Sequence, residues 1–267
     1  MIIEMKMRKP KPLDSKRSSL KILVLIPTLK DDPTQTVQSV KRQTMPVSKI
    51  MIIVGSKQLY SRLKRSELAK IAEIIYFRPN MKEPLGLRVA KSLNHALSMV
   101  KVENYDYILR VDADVKLPRK FIEENMKANA DIVGRAGYAM LIKNQTFLQI
   151  LKGRFPEVPA EDSYMNYKFW ASSKKVENWK IYPTLLQQSV RKHFWREKFR
   201  SGLEAYKLGY EPIHVVARLR LAPLKNTFFC LGYFYALLGH FQKYEFAARI
   251  FNFQIKRLFS ALGSMLV

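Results

Sequence analysis

The sequence predicts an α/β fold with a mainly parallel sheet flanked by helices, followed by a C-terminal helical tail. Four short apolar runs carry the sheet: KILVLI (21–26), KIMIIV (49–54), EIIYF (73–77) and YDYILRV (105–111). Continuous apolar runs of this length suit strands covered on both faces. The segments between them have helical spacing, and alternation of strand with helix implies crossover connections and parallel pairing. Residues 226–267 show apolar or amphipathic helical patterning and no strand signal.

Taken in order, MKMRKPKPLDSKRSS is basic and proline-containing with almost no apolar periodicity, so residues 1–20 read as a flexible arm. The first strand follows and ends at Pro27-Thr28. Helices are expected over 34–43 and 61–71, on either side of the second strand. The third strand leads to a helix over 85–100, where Leu87, Ala90, Leu93, Leu97 and Val100 recur at helical spacing. The fourth strand closes the pattern. A single α/β domain is thus expected over 21–225 and a tail over 226–267.

The chain has 47 Lys and Arg against 22 Asp and Glu, a formal charge of +25, which bears on partners rather than on fold. Residues 1–21 hold seven of these cations, and residues 174–225 hold twelve. Nucleic acid, anionic lipid and phosphorylated small molecules are all compatible with such a surface. The single cysteine, Cys230, cannot form an internal disulfide, and no stretch follows the order of a secretory signal, so a reducing cytoplasmic setting is expected.

The chemistry-bearing motif is YILRVDADVKLP (107–118), an apolar run that breaks into Asp112 and Asp114. Ligands of open α/β sheets lie outside the carboxyl ends of the strands, and both aspartates stand at such an end. Two carboxylates this close repel unless a proton or cation joins them. Mg²⁺ or Mn²⁺ takes one or two carboxylates plus substrate phosphates, which suits this pair. The plainer alternative is a solvated turn that caps the next helix.

With these pieces in order, the chain resembles the inverting glycosyltransferases of family 2, which have the GT-A fold, over roughly residues 20–215. LVLIPTLKDD is similar to the family's first strand and nucleotide loop, placing Pro27, Thr28 and Asp31 or Asp32 by the donor. SVKRQTMPVSKIMIIV resembles its next helix end and strand, and LGLRVAKSLNHAL the segment over the nucleotide, placing Gly86, Arg88 and Asn94. VDADV resembles the D-x-D motif, with Asp114 on the metal and Asp112 shared between metal and donor. PAEDSYMNYKF resembles the acidic pair carrying the catalytic base, which implies Asp162 with Glu161 beside it. FRSG and LGYEP resemble the closing helix and last strand. One departure stands out: Gly55, Ser56 and Lys57 replace the acids that usually end the second strand, so the nucleotide base stays open.

The resemblance implies a metal-dependent transferase moving a sugar from a nucleotide-diphosphate donor to a glycan or lipid-linked acceptor, with Mn²⁺ or Mg²⁺ as cofactor. The segment 191–200 mixes five Lys and Arg with three aromatics and suits a diphosphate, a lipid phosphate or stacked nucleic acid; a solvated face with Phe194, Trp195 and Phe199 turned inward is the alternative. His193 is a candidate third ligand, and His214 reads as structural. FFCLGYFYALLGHF (228–241) is shorter than the ~20 residues that span a bilayer, so an interfacial role beside an anionic membrane is expected, peripheral on the cytoplasmic face. Packing on the domain or a homodimer contact is the alternative. A nucleotidyltransferase would show a glycine-rich loop after the first strand, and PTLKDD has none. A non-enzymatic basic protein binding membrane or nucleic acid leaves D-x-D and the Glu-Asp pair without a role. A Walker loop, zinc-spaced cysteines and G-x-S-x-G are absent.

Overall fold

The computed structural model describes residues 20–186 and 194–263. His193 and the first part of the 191–200 segment lie outside the described residues. The elements run β1 (Ile22–Thr28), α1 (Thr34–Lys41), β2 (Lys49–Val54), α2 (Lys57–Lys64), β3 (Glu73–Tyr76), α3 (Leu85–Leu97), β4 (Tyr107–Val111) and β5 (Val115–Lys116). They continue through α4 (Phe121–Met126), β6 (Ile132–Val133), β7 (Ala139–Lys143), α5 (Asn144–Leu151), α6 (Glu161–Ala171), β8 (Val176–Glu177) and β9 (Thr184–Leu185). Four helices follow: α7 (Phe194–Lys207), α8 (Pro212–Leu221), α9 (Pro223–Leu238) and α10 (Ala247–Gly263).

The main sheet has the order β3-β2-β1-β4-β7-β6-β8. Pairing is parallel from β3 through β4 and between β6 and β8, and antiparallel only where β7 meets β4 and β6. β1 lies inside the sheet, so its side chains are buried alternately on two faces: Ile22, Val24 and Ile26 join one core, Leu23 and Leu25 the other. Val37, Val40, Leu59, Leu63 and Phe121 from α1, α2 and α4 cover the first face. Ala90, Leu93, Phe147, Met165 and Phe169 from α3, α5 and α6 cover the second. The expected α/β architecture with helices on both faces is what the chain adopts.

Three local expectations need correction. β1 does not end at Pro27-Thr28 but includes both, with Pro27 opposite Ile53 and Thr28 opposite Val54. Pairing with β4 stops at Leu25, so the missing proline donor falls where β1 has a neighbour on one side only. The second helix starts at Lys57 rather than Ser61, because the Ser56 side chain caps it by accepting from Leu59 N; Ser66 then caps a separate 3₁₀ turn, Glu67–Lys70. LGYEP forms no strand. Gly209 takes φ +88° after α7, and the Glu211 carboxylate caps α8 by accepting from Ile213 N at 2.7 Å and from His214 N, with Pro212 in the first turn.

The C-terminal helices form a layer of their own beside the sheet. Ala205 and Tyr206 of α7, Val215 of α8, and Phe229, Cys230, Tyr233 and Ala236 of α9 make one cluster. Two glycines set the approach of α7 to α9: a Cβ on Gly202 would strike the Phe229 carbonyl oxygen, and one on Gly232 would strike that of Phe199. The backbones therefore touch where each helix has no side chain. α10 and Phe246 just before it turn back onto α6, where Phe246 and Ile250 share a cluster with Ala171. The expected boundary at 225/226 falls in the first turn of α9.

Candidate active site

A cleft of about 1450 Å³ opens at the carboxyl ends of β1 and β4. Pro27, Thr28, Asp31, Arg88, Asp112, Asp114, Glu161 and Asp162 all line it, as does Gly86. Backbone geometry makes this convergence. The Thr28 hydroxyl donates to the Asp31 carbonyl at 2.7 Å and shapes the turn after β1. Asp31 thereby faces the cleft, whereas Asp32 turns away to accept from Thr34 N at 3.0 Å and pair with Arg62 at 3.0 Å.

The D-x-D turn is pinned from both sides. Asp112 N donates to the Tyr138 carbonyl at 2.9 Å, Leu186 N to the Asp114 carbonyl at 2.7 Å, and the Thr36 hydroxyl to the Ala113 carbonyl at 2.6 Å. Ala113 is buried in the core between the two acids, which leaves both aspartate side chains half-buried at the cleft floor.

Arg110 is the residue that reasoning from the sequence missed. It is 4% exposed at the end of β4, in a strand otherwise apolar or aromatic. Its Nη1 lies 2.9 Å from Oε1 of the equally buried Glu161, and its Nη2 lies 3.7 Å from Asp112. Nη1 and Nε nevertheless lack a hydrogen-bond partner of good geometry among the described residues. Burial works to discharge Arg110, but Glu161, Asp112 and Asp162 outweigh it and hold the cation in place. The legible signal was the lone cation in YILRV, which has to find a counter-charge once the strand is buried.

Burial pushes the Glu161 carboxyl up, Arg110 pulls it back, and Asp162 adds repulsion, for a net rise. Burial likewise raises Asp112, with Arg110 opposing and Asp114 and Asp162 reinforcing. Asp114 is raised by burial and by Asp31, against a backbone hydrogen bond. The Arg110 guanidinium thus stands among three carboxylates, Asp112, Glu161 and Asp162, with Asp114 beyond Asp112 in the same cleft. Glu161 also abuts the first turn of α3, where a Cβ on Gly86 would collide with its Oε2 and with the Pro159 carbonyl. The helix N-terminus favours a carboxylate there.

Glu161 and Asp162 therefore differ in setting. Glu161 is sealed against Arg110, whereas Asp162 is half-exposed to the cleft, with Oδ1 accepting from Ser163 N at 2.6 Å. On the α3 wall Arg88 leans on Met81, its Nη1 3.1 Å from the sulfur. Asn94, expected over the nucleotide, does not reach the cleft. It is buried, its Nδ2 donates to the Phe155 carbonyl at 2.9 Å and to Glu157 at 3.0 Å, and its Oδ1 accepts from Phe155 N at 2.7 Å. Its spacing with Ala90, Leu93 and Leu97 puts it on the inward face of α3, so it clamps the loop before α6. Arg196 and Arg200 of α7 and Arg218 of α8 form a further wall.

Among the described residues no group of three or more His, Cys, Asp or Glu side chains could hold a metal ion. The donor set fits a hard divalent cation in another way: two half-buried carboxylates in an acid-rich floor, with remaining positions left for phosphate oxygens and water. A smaller hollow of about 560 Å³ along α2, lined by Lys57, Arg62 and Arg65, has no acid in its lining.

Neither a protein family nor a curated protein matches the sequence. Among solved structures, the chain is similar to S. aureus TarS, with a TM-score of 0.48 and 14% identity over 69% of this chain and 39% of that one. It is also similar to glucosyl-3-phosphoglycerate synthase from Mycobacterium tuberculosis in complex with Mn²⁺, uridine diphosphate and glucosyl-3-phosphoglycerate. There the TM-score is 0.45 and the identity 10%, over 64% of this chain and 74% of that one. The chain thus spans 39% of the TarS structure's length. Likeness of this degree carries no argument about what the chain does.

Proposed function

We propose that the chain is an inverting, metal-dependent glycosyltransferase that moves a sugar from a nucleoside-diphosphate donor to a lipid-linked or membrane-proximal acceptor. The observation that carries this reading is the D-x-D pair and Asp162 in one cleft, with Arg110 tying Asp112 to the neighbour of Asp162. Breaking the bond from the anomeric carbon to the diphosphate loads negative charge on the leaving group. Mg²⁺ or Mn²⁺ held by Asp114 and Asp112 would supply Lewis-acid stabilisation of that charge. Thr28 and Asp31 position the donor beyond the end of β1, and Arg88 stands on the wall above it.

The acceptor hydroxyl must lose a proton as it attacks. Asp162 is the cleft carboxylate with room to take that proton, and Glu161 acts as a positioning residue that fixes the start of α6 through Arg110. A membrane-proximal acceptor is supported by α9, whose outer face carries Leu224 (80% exposed), Phe228 (37%), Leu231 (52%), Tyr235 (58%) and Leu238 (79%) at helical spacing. Among the described residues no helix is long and apolar enough to cross a membrane. The stripe would instead lie in the interface of an anionic leaflet, drawn there by the chain's excess of cations.

Thermal unfolding with a panel of nucleoside diphosphates, with and without Mn²⁺, tests the reading. A ligand that binds only the native state raises its stability by mass action. Wild type is expected to gain stability only when metal and nucleotide are both present, and Asp114→Ala and Asp112→Ala are expected to lose that gain while still folding. An unchanged Mn²⁺-dependent gain in both variants would remove D-x-D from the site.

A further inference from the structure

Arg218 lines the cleft, yet neither donor binding nor proton transfer uses it. Its guanidinium carbon lies 5.3 Å from the Tyr210 ring centre and 4.8 Å from that of Phe229. A guanidinium held over two aromatic rings loses little further freedom when it binds an anion. The Tyr210 hydroxyl in turn lies 2.6 Å from that of Tyr167 on α6, the helix that begins with Glu161 and Asp162. Arg218 also opposes the burial and the Tyr210 contact that push the Tyr167 hydroxyl up. It is therefore tied to the helix of the proposed base rather than to the D-x-D turn.

Arg196 and Arg200, one turn apart on α7, line the same cleft. Two buried acids of this helical layer are already engaged. Glu204 accepts from Lys207 at 2.9 Å and from the Tyr244 hydroxyl at 2.6 Å, and Glu211 caps α8. Glu197 shares this wall, and beside it Arg196, Arg200 and Arg218 present three guanidinium groups to the cleft.

We infer that Arg218, with Arg200 and Arg196, receives a phosphate-type group carried by the acceptor, at a subsite separate from that of the donor diphosphate. The word acceptor rests on the transferase reading; the anion site does not. Planar guanidinium forks match phosphate oxygens two at a time, and three such cations on one wall favour a group that can carry two negative charges. The phosphate can belong to a lipid or to a soluble molecule, and the two sources differ in what is attached to it. Phe229 faces the cleft and Phe228 the outer stripe of α9, so an alkyl chain on the phosphate would have apolar surface beside it.

The test uses the full chain without metal or nucleotide, titrated with inorganic phosphate and with a short alkyl phosphate and followed by calorimetry. Arg218→Gln is expected to weaken both by about tenfold or more, since a lost charge-assisted contact is of that size. Arg218→Lys should keep part of the affinity, because it keeps the charge and loses the planar fork. Asp114→Ala should bind phosphate as wild type does. Should Arg218→Gln fail to fold, the exposed Arg200→Gln carries the same expectation. Wild-type affinity in the glutamine variant overturns the inference. So does tighter phosphate binding by Asp114→Ala, since relief of repulsion on removing that carboxylate would put the phosphate at the D-x-D turn. Tighter binding of alkyl phosphate than of inorganic phosphate supports a lipid source, and equal binding supports a soluble phosphorylated acceptor. Mn²⁺-dependent nucleoside-diphosphate binding, measured in parallel, decides the transferase reading by itself, so failure of one is told from failure of the other.

Discussion

Glu161 and Asp162 are adjacent in sequence, carry the same charge and line the same cleft, yet the two substitutions that remove those charges should have opposite signatures. Asp162 is half-exposed and holds only a local bond to Ser163 N, so Asp162→Asn should leave unfolding and donor binding near wild type. Transfer to a hydroxyl acceptor should fall roughly 10²–10⁴-fold, the usual worth of a positioned base. With a phosphate oxygen as the attacking group, already ionised near neutral pH, the loss should be much smaller. Glu161→Gln leaves Arg110 buried without its main counter-charge, and breaking such a pair costs about 3–5 kcal/mol. Asp112 at 3.7 Å offsets part of this, so the lower end is expected. Denaturant titration of the two variants checks the stabilities, and turnover with a hydroxyl acceptor checks the base. Full turnover by Asp162→Asn would remove Asp162 from that role.

Among the elements, the α7–α9 crossing is the one whose geometry hangs on single atoms. Gly232→Ala sets a methyl carbon against the Phe199 carbonyl, which belongs to helix backbone and cannot rotate aside. Overpacking of this kind costs about 1–3 kcal/mol, so a lower melting temperature is expected, and Gly202→Ala should repeat it from the other helix. Wild-type melting in both would mean that the helices do not meet as described. Neither glycine could be assigned this part from the sequence, since helix packing between remote segments leaves no periodic mark of its own. The central strands were legible because burial on both faces demands unbroken apolar runs, and the D-x-D turn because its charges break one of those runs. Arg110 was hidden for the converse reason: it interrupts an apolar run by a single letter and makes sense only with α6 against it. Asn94 was misplaced because its amide satisfies backbone groups of a loop far along the chain. The reading of LGYEP as a strand failed where Gly209 and Pro212 punctuate two helices.

The whole molecule combines a cleft of acid floor and arginine wall with a large excess of cations and an outward apolar stripe on α9. Binding to anionic liposomes should therefore be partly screened by salt, since attraction of each surface cation is worth about 1 kcal/mol and decays over a Debye length of ~8 Å. Leu224→Glu with Leu238→Glu should abolish flotation while leaving the melting temperature in place, because both side chains are about four-fifths exposed. A chain that stays in solution beside anionic liposomes at low salt would leave α9 without a lipid partner. One feature of the cleft also governs how the protein comes to exist. β4 pairs with β1 at the centre of the sheet and carries Arg110, whose closer counter-charge is made only when synthesis has passed β7 and reached Glu161. Until then Arg110 has Asp112 at 3.7 Å but lacks its closer partner, so the sheet around β4 is expected to settle fully only once α6 is in place. A chain cut short before α6 is therefore expected to be less stable and more open to proteolysis than the full chain, as limited digestion of the two would show.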